Sequence, residues 1–257
     1  MGDHALERRV AMTEAADRSR ARASRSHRRA RATLDLLGDE RSRRVILVSH
    51  CLLNENTRYA GGATRPGAVT EAVDELMAAG YGIHQLPCPE RHAWGGVLKR
   101  RSLLLHGSRG HAVYALRRPL LRVFTWWTRF IYWRLAGRVV RDVVDYQRSG
   151  MIPAGIVAIG GSPSCGVTRT LDLSASLDVL AACPLAALTR DTMNRRAVLD
   201  CRQPGTGLFI EALDHRLRRR GCELPAWEHD LATELDGKPQ RLLAAPARRT
   251  LGSSATR

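Results

Sequence analysis

The sequence predicts an α/β protein, with a Rossmann-like open parallel sheet, helices on both faces and an inserted long amphipathic helix. Three short segments predict strands, at residues 45–48, 82–86 and 156–159. The third segment is mostly β-branched and does not alternate with polar residues, which is the pattern of a strand covered on both faces. A chain of 257 residues is long enough for one such domain with appended segments.

The third predicted strand ends in a stiff turn. Gly160 and Gly161 allow the backbone to turn where a Cβ would clash, and Pro163 fixes φ and lacks an N–H. Ser162 and Cys165 are therefore expected in a rigid loop at the carboxyl end of this strand. Ligands of open α/β sheets bind at that edge.

A cysteine follows each predicted strand: Cys51, Cys88 and Cys165. Because the carboxyl ends of parallel strands share one edge of the sheet, we expect the three thiols to converge. Three thiolates suit a cuboidal iron–sulfur cluster with one open iron, since soft sulfur ligands select iron or zinc. One alternative is that the cysteines pack as small hydrophobic side chains. Another is a cysteine-nucleophile hydrolase, although the sequence pairs no histidine with any of the thiols.

Two shorter helices are predicted from apolar periodicity. The first opens at Pro66, carries Val69, Val73, Leu76 and Met77 on one face, and ends at Gly80. The second follows the Gly-rich turn at residues 203–207 and ends near Gly221.

The long amphipathic helix is predicted to run from Leu120 to Gly150. Its apolar residues step at three and four: Leu120, Phe124, Trp127, Ile131, Leu135, Val139, Val143 and Tyr146. A second row, Trp126, Phe130 and Trp133, widens the apolar face. We interpret this face as packing in the core or in a homo-oligomer interface; a substrate lid or a membrane-surface contact is the alternative.

The chain divides into three regions by composition. Residues 1–43 lack aromatic side chains and are rich in arginine, alanine and serine, which predicts a disordered basic arm. Residues 44–222 form the α/β domain, with a basic and aromatic helical insertion at 91–149. Residues 223–257 are polar and contain proline and arginine, so we interpret them as a C-terminal tail.

The charge is strongly positive. The formal net charge is +16, and residues 91–138 contain one lysine and ten arginines without any aspartate or glutamate. An anionic partner such as RNA or another nucleic acid, a membrane surface or a phosphorylated substrate is therefore expected to contact the basic segments. The alternative is an arginine-rich surface that is only solvated.

The cysteine content and hydropathy predict a cytoplasmic protein with reduced thiols. Six cysteines in 257 residues are too sparse and irregular for a disulfide framework. No uninterrupted apolar run approaches the roughly 18 residues that a membrane span needs, so no transmembrane segment is expected.

Three motifs resemble, in order and neighbourhood, the signature of the 2-thiouracil desulfidase (TudS) family. They are Ser49-x-Cys51-Leu52-Leu53 with Arg58-Tyr59-x-Gly61, then Cys88-Pro89-Glu90, then Gly161-Ser162-Pro163-Ser164-Cys165-Gly166. The resemblance implies that Cys51, Cys88 and Cys165 hold a [4Fe-4S] cluster whose fourth iron takes sulfur from a thiolated base without redox change. This chain departs from the family at Thr57, where a second cysteine is usual, and at Ala60, where an aspartate is usual, which indicates a divergent subfamily.

The expected function is therefore a cluster-dependent, non-redox desulfidase that acts on a small thiolated compound such as a thiolated nucleobase. Glu90 is the first candidate for the acid–base group because it lies two residues from a ligand, although it could instead cap a helix or pair with Arg91. Ser162 and Ser164 are further catalytic candidates that could orient the leaving sulfur, or else stabilise the turn. The alternative function is a basic RNA- or anion-binding protein with structural cysteines.

Four other groups receive supporting roles. His50 and His92 flank ligands and are expected to assist them without reacting. Cys183, Cys201 and Cys222 follow no comparable turn and are expected to be structural.

Overall fold

The computed structural model describes residues 24–103, 112–244 and 246–247. The strands are β1 (Arg44–Val48), β2 (Gly82–Gln85), β3 (Ile152–Gly160), β4 (Arg169–Leu171), β5 (Arg202–Pro204) and β6 (Ala226–Asp230). The helices are α1 (24–37), α2 (His50–Leu53), α3 (Thr70–Ala78), α4 (Pro89–Ala93), α5 (Arg100–Leu103), α6 (Ala112–Arg148), α7 (Leu173–Ala181), α8 (Leu208–Arg218) and α9 (Leu231–Leu235). Two 3₁₀ turns (Glu55–Thr57 and Leu185–Ala187) and a π-helix (Thr192–Leu199) complete these elements.

The centre is a four-stranded parallel sheet with strand order β2-β1-β3-β6. This is the open parallel α/β sheet that the sequence predicts, and β4 and β5 form a separate antiparallel pair. Strand β1 lies between β2 and β3, so the strand order reverses direction beside it. Such a switch point is where open α/β sheets bind ligands, at the carboxyl edge.

The predicted C-terminal tail is wrong for residues 226–235. Residues 226–230 form β6, which pairs with β3 along its whole length. Ala226, His229, Leu231 and Glu234 are all buried. The segment looked like a tail because it is polar, yet its buried charges are satisfied by partners far away in the sequence.

The predicted disordered arm includes a helix. Residues 24–37 form α1, which ends at Gly38 with a positive φ of 57°. None of the side chains of α1 is fully buried. Residues 1–23 of the arm lie outside the described residues.

Two local predictions need correction. The segment after β1 is not a loop but forms α2 and the first 3₁₀ turn, so Cys51 lies in a helical turn. Helix α3 begins at Thr70, and its predicted face is only partly buried, since Met77 is 63% exposed whereas Val69 and Leu76 are buried.

Helix α6 begins earlier than predicted and includes Pro119. It ends at Arg148, and Gly150 follows it with a positive φ of 82°, as expected of the residue that stops a helix. Its C-terminal half supplies Leu135, Val139 and Val143 to the core, as the core-packing interpretation requires.

The N-terminal half of α6 is different, because its apolar residues are largely exposed in the single chain. Val123 is 65% and Trp126 is 69% exposed. Trp127 is held by a hydrogen bond from its Nε1 to the Ala93 carbonyl of α4, at 3.2 Å. None of the described helices, α6 included, has both the length and the apolar content needed to span a bilayer.

Candidate functional site

The structure brings the three predicted thiols to one cavity. Cys51, Cys88 and Cys165 all line a cavity of about 410 Å³ at the carboxyl edge of the central sheet. Cys51 lies in α2, directly after β1, and Cys165 lies in the turn after β3. All six cysteines of the chain are unpaired, and Cys183, Cys201 and Cys222 do not line this cavity.

Local hydrogen bonds hold the ligand-bearing segments. The Ser49 N–H donates to the Val157 carbonyl at 2.9 Å, which fixes the start of the Cys51 turn to β3. Cys88 is the N-cap residue of α4, and its Sγ accepts the Arg91 N–H at 3.4 Å. The Ser162 hydroxyl accepts the N–H of Ser164 at 3.2 Å and that of Cys165 at 3.0 Å. Ser162 therefore stabilises the turn, the non-catalytic role considered for it.

The turn that carries Cys165 requires glycine. A Cβ on Gly166 would lie 2.0 Å from the Arg169 carbonyl oxygen, and one on Gly207 would lie 2.5 Å from the Ser164 carbonyl carbon. The Phe209 N–H at the start of α8 donates to the Ser164 carbonyl at 3.0 Å. The glycines thus let α8 pack directly on the thiol-bearing turn.

The thiols are in an environment that favours their neutral form. Burial raises the pKa of Cys51 to about 12, although Arg58 opposes this shift, and burial likewise raises the pKa of Cys88 and Cys165. The Ser49 hydroxyl lies beside Cys165 without a well-formed hydrogen bond. A bound metal removes the thiol proton outright, so these residues would become thiolates together with the cation that they hold.

A chain of polar side chains reaches the cavity beside the thiols. Glu90 forms an ion pair with Lys99 through Oε2, and its Oε1 accepts the Ser164 hydroxyl at 3.0 Å. The Ser164 oxygen is 2.6 Å from the Tyr132 hydroxyl. Because Ser164 donates to Glu90, Tyr132 donates to Ser164. Glu90 thus pairs with Lys99 and not with Arg91, and the cap of α4 is Cys88.

A second polar network closes the edge of the cavity near Cys51. Arg58 is buried between Glu55, at 3.2 Å, and Glu234, with which it forms a two-pronged ion pair. His229 Nε2 lies 2.5 Å from Glu234 Oε2. Burial raises the pKa of Glu234, but hydrogen bonds from His229 and Arg58 outweigh burial, so the net shift is downward.

The opposite wall of the cavity is aliphatic. It comes from β4, α7, the π-helix and the segments between them: Leu171, Leu173, Leu177, Leu180, Leu188, Met193 and Val198. A cavity with one polar wall and one aliphatic wall suits a flat, weakly polar molecule.

The residues fit a cluster better than a single metal ion. Within the described residues, no group of three histidine, cysteine, aspartate or glutamate side chains is close enough to hold one ion. A cuboidal cluster holds its three thiolates farther apart than a single ion does. Arg58 and Lys99, the two cations whose charge acts on Cys51, would offset the negative charge of a three-thiolate cluster.

Several residues of the site escaped sequence analysis. Lys99, Tyr132, His229 and Glu234 carry no motif of their own, and each reaches the site through the fold. Lys99 did carry one signal, since it is the single lysine among ten arginines at residues 91–138. His50 and His92 line a second, basic cavity, and His50 also borders the first.

Comparisons with known proteins give little direct information. No protein-family model matches the chain, and no solved structure matches it. An uncharacterized protein of the archaeon Methanocaldococcus jannaschii is 44% identical over 50 residues, which is 20% of this chain and 32% of that protein. The match thus spans about a third of the archaeal protein, and it shows similarity over a short segment without a named activity.

Proposed function

We propose that this protein is an iron–sulfur-cluster-dependent, non-redox desulfidase that removes sulfur from a small thiolated compound, such as a thiolated nucleobase. The observation that carries the proposal is that Cys51, Cys88 and Cys165, from three different chain segments, line one cavity together with the Glu90–Lys99 ion pair. The motif resemblance to the TudS family supports the same assignment.

The three cysteines would hold a [4Fe-4S] cluster. When bound, the cluster supplies an open iron, a Lewis acid toward the sulfur of a thiocarbonyl group. The overall reaction adds water across the C=S bond: the carbon gains the water oxygen, and sulfide leaves with the electrons of the C–S bond. No external oxidant or reductant is needed.

The residues of this chain would move the protons. A water that attacks the substrate carbon must lose a proton, and the Glu90 carboxylate can accept it at Oε1 or Oε2. Lys99 holds this carboxylate in place, and Tyr132 fixes the Ser164 hydroxyl that donates to Oε1. General acid–base catalysis of this kind typically contributes about 10²–10⁴-fold in rate.

The aliphatic wall would accept the flat face of a base and exclude bulk water. Thr57 and Ala60, where the chain departs from the TudS family, both line the cavity. They are therefore positioned to change which thiolated compound is accepted.

The direct test is sulfide release. Protein purified without oxygen is incubated with 2-thiouracil, and the sulfide and the uracil formed are measured together. We expect equal amounts of both products from wild type and none from Cys165→Ser. Product formation by Cys165→Ser at the wild-type rate would refute the proposal. The competing interpretation, a basic RNA-binding protein with structural thiols, predicts a colourless protein that forms neither product.

A further inference from the structure

A second cavity, of about 290 Å³, lies next to the thiol cavity. The two cavities share His50 and Cys88. The walls of the second come from the end of β2, the first turns of α2 and α4, and the C-terminal half of α6. It is thus formed by well-defined elements of the domain and not by a single loop.

The charges that line this cavity are mainly positive. Arg91 of α4 and Arg138 of α6 face it together with His50, His84 and His92. Among the described residues, neither guanidinium forms a hydrogen bond or an ion pair with another side chain. The carboxylate on this wall is Asp142, whose side chain is 54% exposed and whose Oδ2 lies 3.9 Å from His84 Nε2. That distance is too long for a direct hydrogen bond.

The basic groups are close enough to act on one another. Burial lowers the pKa of His50 and His92, and the charge of Arg91 lowers both further. Arg138, from a different helix, also acts on His92. Two fixed positive charges and several imidazole nitrogens therefore converge on one cavity without an internal anion to satisfy the arginines.

We propose that this second cavity binds the phosphate group of a small molecule, with Arg91 and Arg138 as its principal contacts. Guanidinium groups match phosphate oxygens with paired hydrogen bonds, and imidazole N–H groups add further donors. The volume is sufficient for a phosphate group with part of the molecule that carries it. An RNA backbone would instead require an extended row of cations, whereas here two arginines converge on one cavity. The proposal does not depend on the cluster or on desulfidase activity.

The test is calorimetric titration of the full-length protein, purified without oxygen, at constant ionic strength set with sodium chloride. The ligands are inorganic phosphate, uridine monophosphate and uridine. The variants are Arg91→Gln and Arg138→Gln. The matched control is Arg129→Gln, which removes the same charge from an exposed position of α6 that does not line the cavity.

Wild type and Arg129→Gln are expected to bind phosphate, and Arg91→Gln and Arg138→Gln to bind it about tenfold or more weakly, since hydrogen bonds to charged groups are lost. Tighter binding of uridine monophosphate than of inorganic phosphate would identify a phosphoester as the ligand. Equal binding of the two would identify free phosphate. In both cases uridine should not bind at this site.

Three results would overturn the proposal. They are no phosphate binding by wild type above the chloride background, equal losses in Arg138→Gln and Arg129→Gln, and uridine binding as tight as that of its monophosphate. Iron is measured on the same samples, and we expect the same content in all four proteins. An absence of iron would count against the desulfidase proposal and would leave the phosphate result unaffected.

Discussion

Lys99 and Glu90 form a buried ion pair in the cavity that the three cysteines line. Burial opposes the charge of Lys99, but the Glu90 carboxylate outweighs it and raises the pKa of the lysine. Lys99 also has a φ of 51°, in the left-handed region that non-glycine residues seldom adopt. Such a backbone costs on the order of 1–3 kcal/mol and persists only where the surroundings impose it, typically at functional sites.

The first prediction concerns this carboxylate. Glu90→Gln keeps the shape of the side chain but removes its ability to accept a proton. We expect wild-type iron content and a fall of about 10²–10⁴-fold in the rate of sulfide release. A wild-type rate would show that Glu90 only neutralises Lys99, and that the proton is moved by another group.

The second prediction separates the two serines. Ser164→Ala removes the hydroxyl that donates to Glu90, so we expect a slower reaction and an unchanged KM. Ser162→Ala removes the acceptor of two turn N–H groups. We expect it to lower the free energy of unfolding by about 1–3 kcal/mol, with a smaller effect on rate in the protein that remains folded. The opposite assignment of effects would restore Ser162 as the catalytic serine.

The third prediction concerns pH. Glu234 has a lowered pKa in the folded protein because the hydrogen bonds from His229 and Arg58 outweigh its burial. Its contribution to stability is therefore present above the unfolded-state pKa of about 4.3 and is lost as pH falls toward the folded-state value.

Removing one partner of a buried pair costs about 3–5 kcal/mol, so Glu234→Gln should be less stable than wild type by roughly this amount at neutral pH. The difference should shrink below about pH 4.3. Urea unfolding of both proteins across this pH range measures it, and a difference that does not vary with pH would refute the assignment.

The fourth prediction concerns the two ends of the domain. Deleting residues 225–257 removes β6 from the sheet, so cooperative thermal unfolding should be lost. Deleting residues 1–42 removes none of the buried core residues that the structure describes, so cooperative unfolding should persist. Calorimetry of both truncated proteins tests this, and a folded protein without residues 225–257 would contradict the placement of β6.

The features that the sequence predicts correctly depend on local patterns. The apolar run of β3, the stop of α6 before Gly150 and the place of Cys165 after a strand are each encoded within a few residues. The convergence of the thiols follows from topology, because parallel strands share one carboxyl edge.

The features that the sequence misses depend on distant partners. Strand β6 carries Glu228, His229 and Asp230, and nothing in its composition shows that Glu228 accepts the N–H groups of Val167 and Thr168. Lys99 gains its role only when the turn at residues 95–99 folds it back onto Glu90. Neither pairing has a sequence spacing that could have revealed it.

The central claim is that the three thiols hold a cluster, and iron analysis tests it most directly. Wild type, Cys165→Ser and Cys201→Ser are purified without oxygen, and iron and acid-labile sulfide are measured per chain. Cys201 is the matched control because its thiol does not line the cavity. We predict about four iron and four sulfide in wild type and in Cys201→Ser, with brown colour, and a severe loss in Cys165→Ser. A colourless wild-type protein without iron, or full iron content in Cys165→Ser, would contradict the account.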